Sequence, residues 1–227
     1  MKKLIFLITG LVLILSFSTC NNEADSSQGT TLVCFGDSLT AGYNGKFSMD
    51  IPLQSYPAYL QNKVSIPVVN AGISGDTSAQ ALARIEADVR SKDPQIAVIL
   101  LGFNDIMALV PTENTEANLQ EIISRLDNGK RKIYLAKFYT HEIAMEIGRM
   151  NGLSDLVILG LILDNDAMFS GLASANNVTL IENIWEGIWG EHMSDAVHPD
   201  KDGYEIMSNI IFNELEPYLK AHGLIKK

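Results

Sequence analysis

The chain has 227 residues, 47% hydrophobic, 19% charged and 7% aromatic, with 17 Lys+Arg against 27 Asp+Glu for a formal net charge of −10. That length holds one domain plus an appendage, and the shortage of basic residues argues against a nucleic-acid partner and against attraction to anionic membranes. Gly and Pro follow no fixed period, and the two cysteines, Cys20 and Cys34, are too few for a disulfide scaffold.

In chain order, Met1-Lys2-Lys3, the apolar run Leu4 to Leu15 and the small residues before Cys20 have the order of a secretory signal. The run is shorter than the roughly 20 apolar residues of a membrane span. Residues 1–19 are therefore read as a signal, 20–30 as a polar tether and 31–227 as a single domain outside the cytoplasm. The end of the signal resembles that of bacterial lipoproteins, which implies acylation of Cys20 and a membrane attachment through that lipid. Phe17 and Thr19 depart from the residues usual there, and a cut after Ser18 is the competing reading, which releases a soluble protein.

Beyond the tether, short β-branched runs alternate with segments of helical period, predicting a three-layer α/β/α domain around a mostly parallel five-stranded sheet. The predicted strands are Leu32 to Phe35, Pro67 to Asn70, Ile96 to Leu101, Ile133 to Phe138 and Val178 to Ile181. Cys34 falls in the first as a buried small hydrophobe. A helix follows the Thr77/Gln80 capping-box pair, another carries Leu119, Ile122, Ile123 and Leu126, and the last runs from about Tyr204 to Lys220. The segment His141 to Asn177 is harder to divide, and its apolar stretch Leu156 to Leu163 reads as core packing, in a buried strand or a core helix, or else as a hydrophobic wall near a binding site.

Ligands bind at the carboxyl ends of strands in open parallel sheets. Three such exits carry polar, glycine-rich strings: Gly36-Asp37-Ser38-Leu39, Asn70-Ala71-Gly72-Ile73-Ser74-Gly75-Asp76-Thr77 and Gly102-Phe103-Asn104-Asp105. A fourth string, Asp195-Ala196-Val197-His198-Pro199, lies near the C-terminus. Acyl transfer needs a nucleophile, a base, a group that orients the base, and donors for the developing oxyanion. Ser38 is the nucleophile candidate, His198 the base and Asp195 its orienter, while Gly72 offers a backbone N–H and Asn104 a side-chain amide. Asp37, Asp76 and Asp105 are read as loop braces or helix caps, His141, His192 and His222 as surface residues, and Trp185 with Trp189 as a packing pair.

These four blocks, in this order, resemble the SGNH or GDSL-type serine hydrolases. The first two are most similar to the bacterial arylesterase, thioesterase I and lysophospholipase L1 group. The resemblance covers about Leu32 to Asn128 and Ser194 to Tyr218. It implies a serine esterase acting on a small-molecule acyl ester or thioester through an acyl-enzyme, with Ser38, His198 and Asp195 as triad. The oxyanion hole it implies is the Ser38 and Gly72 N–H groups plus the Asn104 amide, with neither cofactor nor metal. Two departures stand out: Phe103 is bulky enough to narrow the mouth of the site, and 140–177 does not align with the corresponding stretch of the family, which often helps to shape the acyl pocket.

Other readings fare less well. A glycosidase pairs two carboxylates and gives no reason for Ser38 or the Asp195-His198 string, and Thr40 stands where an α/β-hydrolase elbow needs Gly. A carbohydrate O-acetylesterase of the same fold is the runner-up, and a non-catalytic surface lipoprotein the third possibility.

Overall fold

A computed structural model describes residues 30–138 and 140–227 of the chain; the signal, nearly all of the tether and Cys20 lie outside the described residues. In order these form β1 (Leu32–Gly36), α1 (Ser38–Ala41), β2 (Tyr43–Asn44), β3 (Met49–Asp50), α2 (Tyr56–Gln61), β4 (Val68–Gly72), α3 (Ser78–Asp88) and β5 (Ile96–Leu100). They continue with α4 (Phe103–Met107), α5 (Thr112–Leu126), β6 (Lys132–Ala136), α6 (His141–Asn151), α7 (Asp155–Ala175), β7 (Thr179–Ile181) and α8 (Lys201–Ala221).

Five strands pair in the order β4-β1-β5-β6-β7, all parallel, while β2 and β3 form a small hairpin outside the sheet. The predicted strands are all present. β1 and β5 are buried at every residue, as strands covered on both faces must be, which is why their sequences read as unbroken apolar runs. Helices α2 and α8 pack together, and α5 packs against both α3 and α7. The capping box at α3 forms as its spacing predicts: Thr77 Oγ1 accepts from the Gln80 N–H at 3.4 Å, and Gln80 Oε1 accepts from the Thr77 N–H at 2.9 Å. Cys34 is fully buried, and burial pushes its thiol up to about 12, so it stays protonated.

The segment that resisted division is two helices, α6 and α7, and its apolar stretch is core only in part: Ile158 joins the core and Leu161 and Ile162 pack against it, while the other large side chains are open. Leu156 is 79% exposed and Leu163 60%, with Val157 and Leu159 also exposed, whereas Ile158 packs over Gly148 of α6 and is 3% exposed. The reason is geometric. Lys137, just past β6, pairs with Asp166 at 3.0 Å, which places Asp166 level with the carboxyl edge of the sheet. Residues 155–165, about 16 Å of helix, therefore stand beyond that edge, where no sheet exists to bury them. Lower down, Met168, Phe169 and Leu172 return to the core, and Gln120 and Asn176 exchange amide hydrogen bonds of 2.7 and 2.8 Å between α5 and the end of α7.

Candidate active site

β1 lies between β4 and β5, where the direction of the crossovers reverses, so the crevice of the sheet opens at its carboxyl end. The chain turns there from Gly36 through Asp37 into α1, whose first residue is Ser38. Asp37 caps this turn, its Oδ1 accepting from the Leu39 N–H at 3.0 Å. Asp37 is buried, and its Oδ2 has no hydrogen-bond partner among the described residues. Burial first, then the nearby Asp105 and Asp76, push its carboxyl up to about 7 against the pull of the Leu39 N–H.

The fourth string arrives from the other end of the chain. His198 Nε2 lies 3.0 Å from Ser38 Oγ, and His198 Nδ1 lies 2.8 Å from Asp195 Oδ2 and 3.0 Å from Oδ1. Asp195 is also fixed locally, with Oδ1 accepting from the backbone N–H groups of Val197 at 2.9 Å and His198 at 2.7 Å. Partial burial opposes its charge, but these N–H groups and the imidazole outweigh it and hold the carboxyl below the usual range. The turn closes through the Ser194 N–H, which donates to the His198 carbonyl at 2.8 Å.

Two residues that the sequence did not single out steady this arrangement. The Tyr43 ring sits 4.6 Å from the imidazole at 52°, and the buried Tyr204 hydroxyl donates to the Tyr43 carbonyl at 2.8 Å. Beside them the hairpin docks on the histidine loop, the Gly45 N–H donating to Ser194 Oγ at 3.0 Å. Arg84 of α3 is the second. Its Nη2 donates to the Gly36 carbonyl, its Nη1 to the Ala71 carbonyl and to Asp88, each at 2.9 Å, and its Nε to Asp76 at 2.6 Å, with the guanidinium 4.6 Å over the Phe35 ring. An Arg in a helix face gives no sequence signal of such a role, because the two acceptors that tie it to the sheet, the Gly36 and Ala71 carbonyls, are backbone.

The donors expected for an oxyanion are arranged differently from the sequence reading. The Gly72 N–H is already engaged, donating to Asn70 Oδ1 at 3.0 Å, and a Cβ at Gly72 would lie 2.2 Å from the Ala41 nitrogen. Gly72 is therefore a close-approach residue that lets β4 lie against α1, not an open donor. Three residues on, Gly75 has φ +87°, which favours glycine. The N–H groups of Gly75 and Ser38 have no partner among the described residues. Asn104 stands beside Gly75, one amide N–H donating to the Asp76 carbonyl at 2.8 Å and the other left over.

Asp105, as expected, is a brace, accepting from the Ser78 N–H at 2.8 Å and the Ser78 hydroxyl at 2.5 Å. Asp76 pairs with Arg84. Phe103 does not narrow the mouth: it turns into the core, 5.7 Å edge-on from Phe138. The two tryptophans stack edge-to-face at 5.6 Å, with Trp185 Nε1 donating to the Phe138 carbonyl at 2.7 Å. His141 and His222 are exposed, and His192 lies partly exposed beside Asp200.

Comparisons with known proteins point the same way as this geometry. A family model described as GDSL-like Lipase/Acylhydrolase matches residues 34–206. The chain is 28% identical over 197 residues to "Thioesterase 1/protease 1/lysophospholipase L1" of Escherichia coli strain K12, covering 85% of this chain and 86% of that protein. It is 32% identical over 114 residues to an arylesterase of Vibrio mimicus, covering 50% of this chain and 57% of that one. Among solved structures, the psychrotrophic esterase EstA from Pseudoalteromonas sp. superposes with a TM-score of 0.68 at 21% identity, over 84% of this chain and 99% of that one.

Proposed function

The chain belongs to the GDSL-like lipase/acylhydrolase family and is a carboxylic ester hydrolase; on that premise we propose that it cleaves acyl esters or thioesters through an acyl-enzyme on Ser38. The observation that carries this reading is the continuous contact from Asp195 through His198 to Ser38 Oγ. Ser38 Oγ attacks the substrate carbonyl carbon as its proton passes to His198 Nε2, and Asp195 holds Nδ1–H and stabilises the imidazolium. The lowered pKa of Asp195 suits it to remain ionised throughout.

As the carbonyl oxygen gains charge, the Ser38 and Gly75 N–H groups and the free Asn104 amide N–H supply the donors. Gly75 replaces Gly72 in this role because Gly72 has spent its N–H on Asn70. The tetrahedral intermediate expels the alcohol or thiol, which takes the proton from Nε2. Water, deprotonated by the same nitrogen, then attacks the acyl-serine, and a second collapse releases the acid.

In the same reading, residues 31–227 are one catalytic domain, 1–19 its export signal and 20–30 a tether acylated at Cys20, so that the enzyme works outside the cytoplasm on a membrane. The mass of the N-terminal peptide tests the lipid.

A fluorophosphonate probe is expected to label Ser38, and Ser38→Ala to abolish both labelling and hydrolysis of a short p-nitrophenyl ester while the protein stays folded. Normal turnover by that variant removes Ser38 as nucleophile, and absence of labelling in the parent protein indicates a non-catalytic binder. An acyl series from acetyl to palmitoyl is expected to favour longer chains; a preference for acetylated sugars would overturn that choice.

A further inference from the structure

The exposed large apolar side chains are not scattered. One set lies on the part of α7 that stands beyond the carboxyl edge of the sheet: Leu156, Leu159 and Leu163, spaced three and four apart on one stripe, with Val157 beside them. On the opposite side of this helix Ile158 packs on α6, so the stripe faces away from the protein. A second set comes from loops that leave the same edge. Phe47, Met49 and Leu53 lie on or just after the hairpin whose Tyr43 touches His198, Ile73 follows Gly72, and Leu109 lies in the turn after α4. Leu53 is 87% exposed. Separate elements thus present apolar groups around the face that holds Ser38, an arrangement that marks an interaction surface and not leftover exposure.

We infer that this face, with the α6–α7 arm as its main wedge, docks on a lipid surface of zwitterionic or neutral headgroups, so that the acyl ester enters the site from the bilayer. The inference rests on the acyl-esterase reading above for its substrate, but the docking itself does not require turnover. Charge selects the kind of surface. Residues 155–175 contain no Lys or Arg and carry Asp155, Asp164 and Asp166, and the whole chain is at −10, so anionic lipid would be repelled. What remains is apolar insertion, the mode of interfacial helices that sink about 5–10 Å into the headgroup boundary.

By length and composition alone α7 could cross a membrane, yet its second half is packed in the domain, which leaves the first half free to enter a bilayer without spanning it. The chain outside the structure also fits. Thr30 precedes β1 at the opposite, amino edge of the sheet. From there the arm tip lies about 17 Å of strand plus about 16 Å of helix away. Residues 20–29 can reach about 33–36 Å when extended, enough for a lipid on Cys20 and the arm to share one membrane.

The test uses the full chain with phosphatidylcholine vesicles. In a Ser38→Ala background, bimane placed by Leu156→Cys is expected to shift to the blue and to be quenched by doxyl-labelled phosphatidylcholine. Bimane placed by Asn128→Cys, at the amino edge, is expected to stay unquenched, with the labelled parent as the blank for Cys20 and Cys34. No quenching at 156, or equal quenching at 128, overturns the proposal. So does a shielded 156 label in vesicle-free solution together with a doubled particle mass, which assigns the face to a second copy of the chain.

In the active enzyme, Leu156→Asp with Leu159→Asp is expected to lower hydrolysis of p-nitrophenyl palmitate carried in vesicles by about tenfold or more. Hydrolysis of soluble p-nitrophenyl acetate is expected to be unchanged. Equal loss on both substrates, or on neither, overturns the docking role. If the parent hydrolyses neither ester, the esterase reading fails instead, and the quenching result still decides the docking.

Discussion

The part of the sheet around β1 and the α6–α7 arm both contain unbroken apolar runs, yet one is legible from the sequence and the other is not. In β1 and β5 the apolar runs are followed by glycine and polar strings, and both runs are buried throughout, because a central parallel strand between two helix layers has no exposed face. In the arm, Leu156 to Leu163 looks like the same kind of run but straddles two environments within one helix turn, Ile158 buried and Leu159 open. Apolar sequence states a need for a partner. It does not state that the partner belongs to the same chain.

That contrast can be tested by how each region responds to substitution. The largest effect on stability is expected at Asp37. Its carboxyl is held near 7 in the fold against about 4 in the unfolded chain, so the folded state keeps the proton longer. The sign follows: this group's contribution is whole below about pH 4 and is lost as pH rises to about 7, a fall of about 4 kcal/mol. Asp37→Asn keeps an acceptor for the Leu39 N–H and cannot titrate. Urea unfolding of the variant across pH 4 to 8 is expected to lack that fall, and parallel curves for variant and parent would show that Asp37 is ionised throughout.

Next in size, Asn104→Ala is expected to lower kcat by roughly 10²–10³ with little change in unfolding midpoint, because it removes one oxyanion donor; an unchanged kcat would take Asn104 out of the site. In the arm, Ile158→Ala is expected to cost about 2–4 kcal/mol by emptying the space over Gly148. The smallest effect is expected one turn away: Leu163→Gln, on the outer stripe, should move stability by less than about 0.5 kcal/mol. If Leu163 costs as much as Ile158, the two faces of the arm are not distinct and the contrast collapses.

The residues that touch Ser38 were legible because the chemistry needs particular side chains at strand exits, and Asp195 with His198 sit three apart in one turn. The backbone donor was not. The string Asn70 to Thr77 holds two glycines, and composition does not say which has a free N–H; that depends on Asn70 folding back on Gly72, and on Asn104 reaching the Asp76 carbonyl. Tyr43 and Arg84 escaped for a related reason. Tyr43 meets an imidazole face far along the chain, and the i,i+4 pair of Arg84 with Asp88 does not reveal that the same guanidinium also reaches the Gly36 and Ala71 carbonyls. The helices of the arm are well formed, but their placement against the sheet is fixed by contacts far along the chain, Lys137 with Asp166, Gln120 with Asn176 and the core packing of Met168, Phe169 and Leu172.

Arg84 also gives the protein an internal reporter. Its guanidinium is tied to the end of β1, the end of β4, the loop carrying Gly75 and its own helix, so rotation about its Cζ–Nε bond is hindered and its N–H protons are sheltered from exchange. In a solution spectrum those protons are expected to resonate apart from the averaged signals of surface arginines. Their persistence during heating, labelling or vesicle binding registers whether the nucleophile turn and the oxyanion loop still move as one body, with no substrate added.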